Sequence, residues 1–294
     1  MPSTKPASAA VNTTSVQPIS IGSFDFASAE SVQASLKKLN LKKEQIAPMM
    51  NEVFRDSAPK AAKLCQGIID RSATNAIKTE EARELILWGK AVGSDQRKLV
   101  CKSFNQVQKN VALVHGISQL AKSDARNFMK DYFASGNDMQ SVARYLQIAG
   151  GVLRRHRKKA AGTDGDVVKV VTDVVEDAVD AATGAVTSLV DAVVSAGKSL
   201  ANVVAEAVSW TLDEITDLTE ALLEAGKTLG EILSAAASKG ASAVKSFARA
   251  LLKAGKSIGQ LAQWIVNKAS ALADAAIRAI LEAGDASVRK DELV

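Results

Sequence analysis

The feature that most constrains this chain is a tetrapeptide that returns at a fixed spacing in its second half. Ala-Gly-Lys-Ser/Thr starts at Ala196, Ala225 and Ala254, 29 residues apart each time, and Ala-Gly returns at Ala283. Framing the chain at that step gives four tandem units: 167–195, 196–224, 225–253 and 254–282. A period of this size is typical of stacked helical units, each too small to bury its apolar face alone.

Each unit predicts two helices joined by tight turns. A glycine just past an apolar run is typical of a helix C-terminus, and Ser/Thr-x-x-Glu/Gln is a capping box at a helix start. The predicted turn residues are Gly197, Gly226, Gly255 and Gly284, followed by Ser199, Thr228 and Ser257. One helix of about ten residues and one of about fourteen fit a unit. An unbroken helix is the alternative, because about 29 residues also make eight turns.

The repeated Gly-Lys-Ser/Thr invites comparison with a phosphate-binding loop, and the comparison fails. That loop needs a second glycine five residues before the Gly-Lys pair. Ala192, Ala221 and Ala250 stand there instead, after segments with helical and not strand spacing. The sequence therefore predicts no nucleotide and no other cofactor.

The remainder of the chain also predicts helices. All five prolines lie at or before Pro59, which leaves the long second part free to be helical. Apolar spacing predicts helices at 29–39, 42–55, 59–70, 79–92, 95–121 and 137–153. We expect Pro48 to kink or split its helix and Asn137 to cap the last one.

The predicted architecture is all-α, with a short α-solenoid at its C-terminal end. It comprises a disordered tail (1–28), a helical domain (29–153), a basic and Gly-containing linker (154–166), four two-helix repeats (167–282) and a C-terminal tail (283–294). The first tail is rich in Ser, Thr, Ala and Pro, and lacks the pattern of a secretory signal. We favour an ordinary unstructured terminus; an export signal of injected bacterial effectors is the alternative. The apolar runs are too interrupted by charge to predict a transmembrane helix, so we expect synthesis in the cytoplasm and, on the effector hypothesis, export without a Sec-type signal.

No catalytic or metal-binding set stands out. Cys65 and Cys101 lie in apolar helical patterns and are predicted to be buried free thiols. A Cys101–His115 pair is conceivable, but no third group to orient it is identifiable. Two Cys and two His at scattered positions do not form a zinc pattern. We therefore predict that the protein is not an enzyme.

A basic run at the start of the linker is the candidate for binding polyanions. It contains Arg154, Arg155, Arg157, Lys158 and Lys159. One interpretation is contact with phosphates or anionic lipid, and the other is a solvated helix C-terminus whose cations oppose the helix dipole. Because no aromatic residues interleave with these cations, the run disfavours nucleic acid.

Charge is distributed in blocks. Residues 1–166 carry net +10, the first two repeats net −9 and the last two net +5. Opposed blocks predict either that the basic N-terminal half folds onto the acidic repeats, or that molecules associate head to tail. We favour the internal contact because the linker raises the local concentration of its tethered partner.

These features favour a non-enzymatic helical-repeat scaffold or interaction protein, with an exported bacterial effector as one form of that hypothesis. The expected partner is another protein or a second copy of this chain. The alternative is a membrane-active protein whose Val- and Ala-rich repeat helices meet an anionic lipid surface.

Overall fold

The protein is all-α, as predicted. The computed structural model describes residues 19, 21–39, 41–71, 80–161, 183–266, 273–278 and 281–282. Within those ranges all regular structure is α-helical apart from the 3-10 turn Ile21–Ser23. The fold is built from an N-terminal helical domain and a two-row helical array.

The N-terminal domain packs eight helices around an aromatic and aliphatic core. They are α1 Ala29–Lys37, α2 Lys43–Asp56, α3 Ala58–Arg71, α4 Glu80–Val92, α5 Ser94–Gln106, α6 Asn110–Ser118, α7 Lys122–Ala134 and α8 Gln140–Ala161. Trp88, Phe104, Phe128 and Tyr132 are among its largest buried side chains. Phe128 and Tyr132, which are four residues apart in α7, are therefore part of the core.

Two local predictions in this domain were wrong. The single helix predicted over 95–121 is divided between α5 and α6, because Gln108 takes a left-handed conformation (φ 56°) and the chain turns. Asn137 does not cap α8; its amide donates to the Tyr132 carbonyl (3.0 Å), and Asp138 accepts from the Ser141 N–H instead. Pro48 lies inside α2, so the proline does not split the helix, and the predicted kink stays a prediction.

The disordered tail was predicted too long. Residues 1–18 and 20 lie outside the described residues, but Phe24 is buried and stacks on Phe26 with ring centroids 5.8 Å apart. The Lys63 ammonium donates to the carbonyls of Phe26 and Ala27, both at 2.7 Å. Burial of two aromatic rings outweighs the polar composition of this stretch.

The second half forms the array. Its helices are α9 Thr183–Ser195, α10 Leu200–Glu206, α11 Leu212–Glu224, α12 Leu229–Ala237, α13 Ala241–Lys253, α14 Ile258–Ile265 and a helical stretch at 273–278 and 281–282. The short helices α10, α12 and α14 pack in sequence along one row, while the long helices α11 and α13 pack along the other. The two-helix unit is therefore present where the repeats are described; residues 167–182 and Gly284 lie outside those ranges.

The repeat turns have the geometry that the sequence predicts. Gly197, Gly226 and Gly255 have φ of 80°, 76° and 83°. After Gly226, the Lys227 N–H donates back to the Leu222 carbonyl (2.9 Å), which satisfies a carbonyl at the end of α11. Thr228 then caps α12 through reciprocal bonds with Glu231. Glycine is needed at the turn because a Cβ strains the left-handed conformation.

We expect Gly226→Ala to destabilise the protein by about 1 kcal/mol, because alanine must adopt a positive φ there. Gly230→Ala is the matched control, since Gly230 lies within α12 and a Cβ there meets Trp264 at an ordinary 3.7 Å. Urea denaturation of both variants measures the difference. An equal effect of the two substitutions would contradict the turn's role.

Candidate functional site: the interdomain contact and the groove beside it

Helix α11 is the element on which the two parts of the molecule meet. Its eight consecutive residues from Ile215 to Leu222 are all buried, although four of them are polar or charged. The Thr216 and Thr219 hydroxyls donate to the carbonyls one turn earlier, both at 2.7 Å. Their hydrogen bonds are thus met within the helix, which lets α11 run through the interior of the protein.

Helix α8 of the N-terminal domain packs on α11 backbone to backbone. The contact centres on a glycine pair in the middle of α8. A Cβ added to Gly150 would lie 1.8 Å from the Asp217 carbonyl oxygen, and one added to Gly151 would lie 3.0 Å from Asp217 Oδ2. Only residues without a side chain allow this approach.

Ion pairs link the basic domain to the acidic repeats around this contact. Arg154 Nη2 lies 2.8 Å from Asp217 Oδ1, and Arg144 Nη1 lies 2.7 Å from Glu214 Oε1. Lys122 pairs with Asp191 of α9. Cations of the N-terminal domain therefore meet carboxylates of the first two repeats, which is the internal one of the two predicted charge arrangements.

The candidate polyanion run is only partly free for such a role. Arg154 was predicted to face a polyanion, but its guanidinium is committed to Asp217. Arg155 is exposed, and the side chains of Arg157, Lys158 and Lys159 lie outside the described residues. Helix α8 extends to Ala161, so residues 154–161 of the predicted linker are helical.

Glu214 should titrate far below an ordinary glutamate. The Arg144 guanidinium, followed by the Thr211 amide and hydroxyl, lowers the pKa of Glu214 to about 2. A carboxyl with a lowered pKa in the folded state stabilises the fold above its unfolded pKa, so we expect this contribution to be lost as the pH falls from about 4.5 toward about 2. Arg144→Met should raise the pKa of Glu214 in an NMR titration. Arg155→Met is the control, and an equal shift with both would contradict direct pairing.

A groove opens beside the interdomain contact, between α8, α9, α10 and α12. Its volume is about 520 Å³. The lining is mostly aliphatic and comprises Leu146, Val190, Val193, Val194, Leu200, Ala201, Val203, Leu222 and Ala235. Ser199, Ser234, Glu231, Lys198 and Lys227 supply its polar atoms. It thus has the size and composition of a ligand pocket, for which volumes of about 300–1,000 Å³ are usual.

The two lysines of the groove belong to successive repeat turns. The Lys198 ammonium lies 4.9 Å from the centre of the Phe133 ring. Lys227 lies near the carboxylate of Glu231 and interacts with it electrostatically. Glu231 is occupied by Thr228, whose backbone and hydroxyl hydrogen bonds lower its pKa. The groove therefore combines apolar walls with two cations.

A second apolar surface lies at the C-terminal end of the array, and we call it the end face. The last unit exposes large apolar side chains: Ile258 (51%), Val266 (81%), Ile277 (42%) and Leu281 (62%). Among the described residues of the array, the last unit exposes more large apolar side chains than the earlier units, in which Val194, Val208 and Leu212 are exposed.

The chemical groups singled out by sequence are poor catalysts. Cys65 and Cys101 are fully buried, and burial raises the pKa of the Cys65 thiol to about 12 and that of Cys101 also. The His115 ring packs 5.6 Å from the Tyr145 ring. In the described ranges, no group of three or more His, Cys, Asp or Glu side chains is placed to hold a metal ion.

Among the described residues, one pair of helices meets the length and composition criteria for crossing a membrane. No single helix in the described part is both long and apolar enough to cross a bilayer. Helices α9 and α10, which are bent by 111° at their junction, meet the criteria of length and composition only when taken together.

Sequence reasoning missed both the glycine contact and the groove. The signals were present: two adjacent glycines within a predicted helix indicate close packing, and a lysine follows the turn glycine in each of three copies. Comparison with known protein families and with curated proteins finds no match.

Proposed function

We propose that this protein is a non-enzymatic interaction protein whose helical array binds an acidic, helical protein partner at the end face. The observation that carries the proposal is the exposure of apolar side chains in the last unit, led by Val266 and Leu281. Burial of both thiols supports the non-enzymatic part, because a protonated, inaccessible thiol is a weak nucleophile.

The end face departs from the usual termination of a repeat array. Terminal units ordinarily carry a polar outer surface, which keeps the array soluble. A contiguous apolar patch on a monomer instead marks a site of interaction. Successive units of this array pack helix against helix. We therefore expect the partner's complementary surface to be an apolar helical face.

Charge specifies the partner further. The last two repeats carry net +5 in sequence, and Lys245 and Arg249 lie in α13 beside the final helical stretch, where both pair with Glu282. A partner with acidic residues flanking its apolar face would be steered toward this end of the array. The hypothesis that the chain is exported as a bacterial effector stays a prediction.

The experiment compares three baits in an extract of the native host: the intact chain, an Ile258→Glu/Leu281→Glu variant and a Val92→Glu control in α4. All three are first checked for helicity by circular dichroism. We expect an acidic helical protein to be retained by the intact chain and the control and lost with the end-face variant. Identical retention by all three baits would contradict the proposal, and sedimentation of the chain alone would reveal a second copy as the partner.

A second candidate function is membrane activity through α9 and α10. It is favoured by the apolar length of that bent pair. The test is dye release from vesicles containing anionic lipid. If the pair enters lipid, Val194→Asp in α9 should abolish release while Val92→Asp in α4 leaves it intact. Absence of release, or equal loss with both variants, would contradict this candidate.

A further inference from the structure

We infer that the groove between α8, α9, α10 and α12 binds the free anion of a long-chain carboxylic acid. The acyl chain lies along the aliphatic walls, and the carboxylate is bound by the ammonium groups of Lys227 and Lys198. This inference is independent of the end face, because none of the residues that define the end face lines the groove.

The size of the groove selects an acyl chain over a peptide helix. Two turns of helix are about 11 Å long and about 10 Å across, which is a volume of roughly 850 Å³. The groove holds about 520 Å³, so it cannot enclose two turns of helix completely. A single unbranched chain is thin enough to be buried between Val190, Val193 and Leu200. Each methylene that leaves water adds to the affinity.

The polar end of the ligand follows from the charges at the groove. Lys198 and Lys227 contribute two cations, and the carboxylate of Glu231 already accepts hydrogen bonds from the Thr228 amide (2.7 Å) and hydroxyl (2.9 Å). An added carboxylate would therefore meet more positive than negative charge. A neutral amphiphile would gain the same apolar burial without this interaction.

The remaining polar groups do not alter that choice. The Ser199 hydroxyl donates to Asn202 Oδ1 at 2.8 Å, and the Ser234 hydroxyl accepts from Trp264 Nε1 at 3.4 Å. The proton of Ser199 is thus engaged within the protein, whereas Ser234 keeps its proton to donate to a carboxylate. The two lysine ammonium groups supply the charge that recognises the ligand head. Trp264 also places a fluorescent ring next to a residue of the groove wall.

Decanoate carrying ¹³C at its carboxyl carbon is the probe, used with the intact chain below the critical micelle concentration. We expect saturable binding seen by NMR, with the pKa of the bound carboxyl lowered by the two cations. Lys227→Met should weaken binding about tenfold, as expected for the loss of one charge-assisted hydrogen bond, and Lys227→Arg should restore most of it. Lys256→Met is the matched control, because Lys256 occupies the same position in the next repeat and does not line the groove.

Two further measurements fix the position and chemistry of the ligand. Val194 is half exposed on the groove wall, so Val194→Asp should leave the fold intact and weaken decanoate binding by repulsion. Decanol should bind the intact chain more weakly than decanoate does. Its affinity should be the same for the intact chain and for Lys227→Met. The inference is overturned by absence of saturable binding, by equal losses with Lys227→Met and Lys256→Met, or by binding of an acidic amphipathic peptide that depends on Lys227 while decanoate does not bind.

Discussion

Gly150→Ala is expected to destabilise the protein by about 2–3 kcal/mol, at the upper end of the range for overpacked interiors. The new Cβ would lie 1.8 Å from the Asp217 carbonyl oxygen and 3.0 Å from the Ala221 nitrogen. Both are backbone atoms, so no side-chain rotation can relieve the overlap and α8 must move away from α11. Alanine gains about 1 kcal/mol in helix propensity over glycine, but the backbone clash outweighs that gain.

Gly184→Ala is the matched control for this prediction. Gly184 lies in α9, and a Cβ there has no neighbour within 4 Å. Only the higher helix propensity of alanine then acts. Gly184→Ala should therefore be as stable as the parent protein or more stable. Urea denaturation measures both, and the midpoint of Gly150→Ala should fall. Equal stability of the two variants would show that α8 and α11 do not approach as closely as described.

Arg154→Met is expected to cost about 2 kcal/mol, less than the 3–5 kcal/mol of a fully buried pair. The Arg154 and Asp217 side chains are 21% and 12% exposed, so water screens their interaction only in part. Removing the cation leaves the more buried group, the Asp217 carboxylate, with a 3.5 Å contact from the Gln147 amide as its remaining side-chain partner among the described residues. An Arg154→Met/Asp217→Asn double variant should recover part of the loss, because no buried charge remains.

The Arg144–Glu214 pair provides the comparison. Its side chains are 38% and 31% exposed, and pairs of that kind contribute at most about 1 kcal/mol. Arg144→Met should therefore be the milder change in the same urea experiment. If Arg144→Met costs as much as Arg154→Met, burial does not set the strength of the interdomain ion pairs.

The repeat turns could be predicted from sequence because their physics is local. A helix ends at Gly226 and the next begins at Thr228 through hydrogen bonds that span at most five residues. Each group needed is therefore a near neighbour in the chain. The break at Gln108 escaped prediction because glutamine carries no preference for the left-handed conformation that it adopts there.

The interdomain contact lies beyond such reasoning. Arg144 and Glu214 are 70 residues apart, and nothing near either position identifies the other. Net charge of the blocks indicated that the basic half meets the acidic repeats. Net charge could not identify α11 as the helix on which α8 packs, because that packing depends on the absence of side chains at Gly150 and Gly151. The groove is likewise a product of several helices whose arrangement follows from this contact.

The burial of α11 gives the array a direction of growth. One end is closed, since α11 of the second unit is enclosed by α8, while the other ends in exposed side chains of the last unit. Duplication of residues 225–253 directly before Ala254 would add a unit without disturbing α8 or α11. The same 29 residues inserted before Ala196 would separate α9 from α10 and displace the ion pair between Lys122 and Asp191. Gene duplication could therefore lengthen this protein at its C-terminal side alone.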